Sequence, residues 1–149
     1  MTIIDCHCHL GTGIRKRVSA EELLRQMDDA NVARAVICTV DQFVAVKNRT
    51  GNDEIIAAVR NWPERFWGLA AVNPWFGDQA VKELIRCLES GLLGLKLNSH
   101  LQGFVLSDPL VHPLLEVCRN HGALVYAHTC TPITAEPFEL SELARTFPE

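Results

Sequence analysis

The sequence predicts an α/β fold, a (β/α)8 TIM-barrel type that is truncated to about its first five β/α units. Apolar strand-like runs alternate five times with helical patterns, polar residues follow several of these runs, and no glycine-rich phosphate fingerprint follows the first run. The alternation indicates a parallel sheet, which a doubly wound fold and a barrel both contain. The other two observations favour the barrel, whose active sites lie at the carboxyl ends of several strands.

Each predicted element has a local signal. Strands are predicted at residues 1–9, 32–40, 66–72, 92–97 and 123–128, where apolar residues are nearly continuous. The first helix begins at the capping pair Ser19 and Glu22 and ends at Asn31, and Asp78 is predicted to cap the third helix. Further helices are predicted at 55–62, 109–122 and 137–146, and we expect residues 41–51 and 98–107 to be loops.

The end of the sequence repeats an earlier junction. Residues 62–66, Trp-Pro-Glu-Arg-Phe, join the second helix to the third strand, and residues 147–149, Phe-Pro-Glu, begin the same way. A complete barrel takes about 250 residues. We therefore expect residues 1–149 to be the N-terminal portion of a single barrel domain, as a fragment or as a truncated gene product.

Composition narrows the function classes. The chain has 149 residues, 48% of them apolar, and a formal net charge of −4 without a basic stripe, which argues against nucleic acid as a partner. No apolar run has the length of a membrane span, so we expect a cytoplasmic protein. The six cysteines lie in strand and helix patterns, which indicates free thiols rather than disulfides.

The first strand carries the main candidate for a metal site. Alternation along a strand places Asp5, His7 and His9 on one face, and Cys6 and Cys8, which we interpret as packing residues, on the other. Two imidazoles on one face at a strand end are suited to bind one metal ion. The alternative is a buried strand whose histidines are only hydrogen-bonded. The pattern favours the metal.

Two later strands carry further polar candidates. In the fourth strand the leucines face the helices, which directs Lys96 into the barrel near its mouth. There it could bind an anion, act as a base or be carboxylated, whereas the alternative is a lysine that reaches solvent. His128 ends the fifth strand and is a candidate third ligand or proton-transfer group, with a core histidine as the alternative.

Two loops supply candidate substrate contacts. Arg15, Lys16 and Arg17 follow the first strand and could hold a substrate carboxylate, although such a triplet is also common on a solvated surface. Trp75 and Phe76 follow the third strand, where they either line the pocket or simply pack.

An ordered set of motifs along the whole chain resembles the amidohydrolase-related family, which also holds the aminocarboxymuconate-semialdehyde-type decarboxylases. The motifs are Ile3-Ile4-Asp5-Cys6-His7-Cys8-His9, Gly94-Leu95-Lys96-Leu97 with Gln102-Gly103-Phe104, Asp108-Pro109, and Tyr126-Ala127-His128-Thr129. The resemblance implies a (β/α)8 barrel with a divalent metal, commonly zinc, at the carboxyl mouth.

The resemblance also implies residue roles. His7 and His9 match the paired ligands of strand one, and His128 matches the histidine of strand five. Lys96 matches a lysine common at strand four of this family, and binuclear relatives carry their carboxylated lysine on the same strand. This branch is typically mononuclear, so Lys96 is not assigned as a ligand. Asn98 stands where many relatives have histidine followed by proline, and His100 is not assumed to replace it.

Other family positions differ or fall outside the sequence. Cys130 stands where relatives often have glycine. The strand-six histidine and the strand-eight aspartate of the family have no counterpart, because the sequence ends first.

The residues and the resemblance together predict a metal-dependent hydrolase that acts on a small anionic organic substrate through a metal-activated water. The predicted metal ligands are His7, His9 and His128, the predicted catalytic residues are Lys96 and His128, and the predicted substrate contacts are Arg15, Arg17, Asn98 and Trp75. One alternative is a metal-dependent decarboxylase of the same family. Another is a catalytically inactive chain whose apolar edge strands lead to self-association or to pairing with a missing half.

Overall fold

The computed structural model describes residues 2–148 and contains a curled five-stranded parallel sheet, half of a barrel. Its strands pair in chain order, and every pairing is parallel. They are β1 (Ile3–His9), β4 (Val32–Cys38), β5 (Phe66–Ala71), β6 (Gly94–Leu97) and β7 (Leu124–Ala127). The predicted fold class is confirmed.

Helices connect the strands, and a small hairpin follows β1. The hairpin consists of β2 (Gly11–Thr12) and β3 (Arg17–Val18). The helices are α1 (Ala20–Asp29), α2 (Asp41–Ala45), α3 (Asn48–Asn61), α4 (Asp78–Glu89), α5 (Ser99–Gln102), α6 (His112–His121) and α7 (Pro137–Thr146), with short 3₁₀ turns at Pro74–Phe76 and Pro109–Val111. Within residues 2–148, none of these helices combines the length and the apolarity that a membrane crossing requires.

The predicted ends of α1 are confirmed. The Ser19 hydroxyl accepts a hydrogen bond from the backbone N–H of Glu22 at 3.2 Å, which satisfies one of the free donors of the first turn. Asn31 has φ 54°, the left-handed conformation that commonly ends a helix.

The prediction of a loop at residues 41–51 is wrong, because this polar stretch forms α2 and the first turn of α3. The buried Asn48 amide donates to the carbonyl oxygens of Phe43 at 2.9 Å and Val44 at 2.8 Å, which joins the two helices. Gly51 allows a close approach, since a Cβ there would lie 2.5 Å from Thr39 Oγ1. Tertiary contacts therefore stabilise a helix that has no apolar periodicity in its first turn.

Two further predictions need correction. The expected loop at 98–107 contains α5, whose start is capped by Asn98 Oδ1 accepting from the N–H of Leu101 at 3.1 Å. Asp78 is the first residue of α4 and makes no capping bond with its side chain; Gly77, with φ 51°, stands at the cap position. A glycine tolerates that conformation better than an aspartate does.

The hydrophobic core lies between the sheet and the helices. Leu95 and Leu97 face it from β6 and are fully buried, as predicted, whereas Leu93 precedes the strand and is exposed. Asn52 of α3 spans to β5, donating to Ala71 O at 3.0 Å and accepting from Ala71 N at 2.8 Å. The Asn52 contacts fix the carboxyl end of β5, and the polar candidates lie at the same edge of the sheet.

Candidate metal centre

A cavity of about 360 Å³ opens at the carboxyl ends of the strands and gathers most of the predicted site residues. His7 and His9 come from β1, Lys96 and Asn98 from the end of β6, His128 from the end of β7, and Arg15 from the hairpin. Parallel strands bring their carboxyl ends to one edge, which is why His7 and His128, 121 positions apart in the sequence, share this cavity.

The His7 and His9 rings lie side by side, with centroids 4.8 Å apart. The pairing of β1 with β4 shifts register between Asp5 and Cys8, so the strand bulges where His7 stands. The Asp5 carboxylate accepts a hydrogen bond from the backbone N–H of His7 at 2.9 Å. Both rings therefore point to the same cavity from a locally bent strand end.

The protonation of both imidazoles suits a metal ligand. His9 Nδ1 lies 2.8 Å from the carbonyl oxygen of Thr39, which only accepts, so Nδ1 carries the proton and Nε2 keeps its lone pair. Burial lowers the pKa of His9. For His7, burial and then the charges of Lys96 and His9 lower the pKa to about 4. Both rings are neutral at pH 7, the form that binds a metal.

Within residues 2–148, the three side chains best grouped as metal ligands are His7, His9 and Cys38, whose ligand atoms lie within 4.8 Å of one another. His128 lines the same cavity but is not in this group. Its Nε2 lies 2.9 Å from the Thr131 hydroxyl. Burial, followed by the charge of Lys96, lowers the pKa of His128, so this imidazole is also neutral at pH 7.

Lys96 is only 1% exposed, so the alternative of a lysine that reaches solvent is wrong. Its Nζ lies 4.5 Å from the centre of the Tyr126 ring and has no hydrogen-bond partner in the part of the chain that the structure describes. Burial lowers the pKa of this amine. A buried amine without a partner at a cavity wall is suited to receive an anion.

The hairpin is tied to α2 by Asp41. The Asp41 carboxylate accepts hydrogen bonds from the Arg15 backbone N–H at 2.8 Å and from the Arg15 guanidinium at 3.3 Å. The backbone bond is the main cause of the lowered pKa of Asp41. Asp41 lies three residues beyond the end of β4, so the rule that chemistry lies at the carboxyl ends of strands could have identified it.

Sequence reasoning treated Lys16 only as part of a triplet and set His100 aside, yet both line the cavity. The structure does not bring Arg17 or Trp75 there. Arg17 belongs to β3 and pairs with Thr12. Trp75 is 60% exposed, and its indole N–H donates to the carbonyl oxygen of Gly103 at 3.3 Å.

The donor set fits a divalent transition metal. Two neutral imidazoles and a thiol are ligands that zinc and related ions accept, and the unpartnered Lys96 amine beside them suits a negatively charged metal-bound group or substrate. The residues present would hold the ion through His7 and His9.

Known proteins resemble this chain in sequence and in fold. The amidohydrolase family model matches residues 4–149. Over 78 residues the chain is 38% identical to the 2-amino-3-carboxymuconate-6-semialdehyde decarboxylase of Dictyostelium discoideum, a match that covers 52% of this chain and 22% of that protein.

Two solved structures share the fold. The first is 5-carboxyvanillate decarboxylase from Novosphingobium aromaticivorans, solved with manganese, with a TM-score of 0.76, 16% identity, and coverage of 99% of this chain and 55% of that one. The second is described as a probable 2-pyrone-4,6-dicarboxylic acid hydrolase from Acinetobacter baumannii, with a TM-score of 0.69, 21% identity, and coverage of 100% and 55%.

The chain thus spans about half the length of these solved structures and less than a quarter of the curated relative. Its match to the family model runs over almost its whole length, from residue 4 to residue 149. The chain belongs to the amidohydrolase family.

Proposed function

We propose that this chain forms part of a metal-dependent hydrolase, in which a divalent ion at His7 and His9 activates water for attack on a small anionic organic substrate. One observation carries the proposal. The neutral imidazoles of His7 and His9, with ring centroids 4.8 Å apart at the end of β1, share a cavity with the buried Lys96 amine. The ion, which we propose to be zinc, would lower the pKa of its bound water toward neutrality and polarise a substrate carbonyl.

The charges around the cavity support an anionic substrate. Arg15 and Asp41 both line it and form an ion pair with each other, which leaves Lys16 and Lys96 as the basic groups that a substrate would meet. A substrate carboxylate that accepts a hydrogen bond from Lys96 Nζ would give the amine the partner that it lacks among the described residues. Asn98, at the end of β6, adds a neutral polar contact at the same wall.

His128 is proposed as a ligand or as a group that moves a proton. Its Nε2 shares a hydrogen bond with the Thr131 hydroxyl, which orients the ring at the cavity wall. A neutral imidazole in this place can accept a proton as bond cleavage proceeds.

A metal-dependent decarboxylase of the same family is the second candidate, and a specific observation favours it. The matched segment of the Dictyostelium protein belongs to a decarboxylase, and a further decarboxylase shares the fold. In that reaction the carboxylate leaves as carbon dioxide, and a proton replaces it on the same carbon. The cationic cavity would serve both reactions.

Isotope labelling separates the two reactions. The zinc-loaded chain would be incubated with carboxylated lactones and amides and with enol and aromatic carboxylates, in ¹⁸O-water and in D₂O. Hydrolysis puts one solvent oxygen into the product, whereas decarboxylation releases carbon dioxide and puts deuterium on carbon. The variant His7→Ala/His9→Ala is the control, and turnover that persists in it contradicts both candidates.

The third candidate is a chain that has no catalytic activity by itself. The two edge strands of the sheet, β1 and β7, carry exposed apolar residues, which favours self-association or pairing with further β/α units. Zinc binding without turnover of any substrate in the isotope experiment supports this reading.

A further inference from the structure

We infer that Cys38 supplies a thiolate ligand to the metal held by His7 and His9, so that the site takes zinc or cobalt in preference to manganese. The inference rests on the proposed function, since it concerns the same ion. The three side chains form one group with ligand atoms within 4.8 Å of one another.

The strand geometry directs Cys38 toward the site rather than toward the helices. Cys38 ends β4 and pairs directly with His9 of β1. Its neighbours Ala35 and Ile37 belong to the hydrophobic core, whereas Cys38, although fully buried, does not. Alternation along the strand therefore places the Cys38 thiol on the inner face of the curled sheet. Lys96 lies on the same face, because its neighbours Leu95 and Leu97 belong to the core and Lys96 itself lines the cavity.

The thiol has no strong partner of its own. Sγ donates to the carbonyl oxygen of Cys8 at 3.7 Å and lies 3.5 Å from His9 Nδ1, a nitrogen whose proton points to Thr39 O. Ligand atoms around a tetrahedral zinc lie roughly 3.3–3.8 Å apart, closer than the 4.8 Å that encloses this group, so the side chains must move together to share one ion.

Without a bound metal the thiol stays protonated, because burial raises the pKa of Cys38 to about 11 and the charges of Lys96 and Lys16 offset this only in part. A metal ion can still displace this proton, since a coordinated thiol binds as the thiolate. On metal binding the S–H bond breaks, the sulfur electron pair forms the bond to the metal, and the proton passes to solvent. No oxidant or reductant takes part.

A sulfur ligand changes which metal the site selects. Thiolate is a soft donor that favours zinc and cobalt, whereas manganese favours oxygen donors. The solved 5-carboxyvanillate decarboxylase, which shares the fold, contains manganese. We expect the opposite preference in this chain.

X-ray absorption at the zinc edge tests the inference on the zinc-loaded chain. We expect one sulfur at about 2.3 Å together with nitrogen or oxygen at about 2.0–2.1 Å. The Cys38→Ser variant loses the sulfur, and its zinc affinity falls by at least about tenfold, while its manganese affinity changes by less than about twofold. The matched control is Cys118→Ser, a buried thiol of α6, which keeps the sulfur and both affinities.

Three results would overturn the inference: a wild-type spectrum without sulfur, a sulfur that survives in Cys38→Ser, or an equal loss of zinc and manganese affinity, which indicates a purely structural thiol. If Cys38→Ser does not fold, a second variant tests the same point. It lacks the thiols of Cys6, Cys8 and Cys130 but keeps Cys38, so its zinc-edge spectrum must still show one sulfur ligand. A zinc site with only nitrogen and oxygen ligands contradicts the Cys38 ligand but not the proposed function. Absence of any bound metal contradicts both.

Discussion

Lys96 is the residue whose environment is least usual for its chemistry. Its amine is buried against the Tyr126 ring and has no hydrogen-bond partner within residues 2–148. Such a group destabilises the fold, because burying a charge or a free amine without a partner costs free energy. A residue kept at that cost in a cavity wall is expected to act on a ligand.

Lys96→Met is therefore predicted to raise the free energy of unfolding by about 1 kcal/mol or more, because it replaces the unpaired amine with an apolar chain of similar length. The same change should weaken binding of a carboxylate ligand by about tenfold or more. Urea unfolding and calorimetric titration with a dicarboxylate measure the two effects. Lys82→Met, on the exposed side of α4, is the control and should change neither. A destabilised Lys96→Met protein would contradict the prediction.

The cysteines differ in environment and hence in reactivity. Burial raises the pKa of Cys87 and of Cys118 to about 12, so both remain neutral thiols at pH 8. Cys6 and Cys130 are exposed, which corrects the interpretation of Cys6 as a packing residue. All six cysteines are free thiols, as predicted from their strand and helix settings.

Iodoacetamide at pH 8 is expected to modify Cys6 and Cys130 in the folded chain and to leave Cys87 and Cys118 unmodified, because the thiolate is the reactive form. Mass spectrometry of peptides reads the pattern, and the same reaction in urea, where all six thiols should react, is the control. Modification of Cys118 at the rate of Cys130 in the folded chain would refute this assignment of environments.

Sequence reasoning found the residues whose position follows from strand periodicity. His7, His9, Lys96 and His128 share one cavity because alternation and the carboxyl-end rule together fix where their side chains point. Cys38, which we propose as a further ligand, is not predicted from the sequence, because an apolar run does not show which of its members face inward.

At the scale of elements, the sequence predicts what local patterns encode and misses what tertiary contacts create. The range of α7, Pro137–Thr146, agrees with its prediction because proline and apolar spacing mark it. The stretch at 41–51 was assigned to a loop because its helices depend on Asn48 and Gly51, whose contacts reach other elements. Such contacts have no periodicity.

Asn52 is predicted to be the strongest single link between α3 and β5. Asn52→Leu leaves the N–H and carbonyl groups of Ala71 without their partner and removes a bond to Glu83, and should cost about 3 kcal/mol of unfolding free energy. Asn61→Leu, on the exposed end of α3, is the comparison and should cost less than about 0.5 kcal/mol. Equal stability of the two variants in urea unfolding would contradict the role of Asn52.

Gly94 permits the pairing of β6 with β7. A Cβ at this position would lie 2.1 Å from the backbone oxygen of Leu124, which cannot move without breaking the sheet. We predict that Gly94→Ala lowers the free energy of unfolding by about 3 kcal/mol or more. At Gly103 an added Cβ has no neighbour within 4 Å, so Gly103→Ala should lower the free energy of unfolding by only about 1 kcal/mol, because of its positive φ. Thermal unfolding of both variants measures the difference, and a Gly94→Ala protein as stable as Gly103→Ala would refute the contact.

At the scale of the whole molecule, the sheet formed by residues 2–148 has two open edges, β1 and β7. The edge strand β7 carries Leu124, which is 57% exposed, and Val125; the other edge carries exposed Ile3 and Ile4. Unpaired parallel edges with apolar side chains form intermolecular contacts readily. The fold class was predictable from the strand–helix alternation, but the exposure of these residues depends on which strands have neighbours.

The isolated chain is therefore expected to elute above its monomer mass of 16.6 kDa in size-exclusion chromatography with light scattering. Leu124→Lys/Val125→Lys places charges on the β7 edge and should shift the chain toward the monomer. A wild-type chain that stays monomeric at high concentration would contradict the role of the edges.

The central claim is that the first strand and the curled sheet create one metal site. Metal analysis after dialysis against excess zinc tests it most directly. The wild-type chain should retain about one zinc per chain, and His7→Ala/His9→Ala should retain almost none, with an unchanged circular dichroism spectrum. Equal zinc in both proteins would contradict the account.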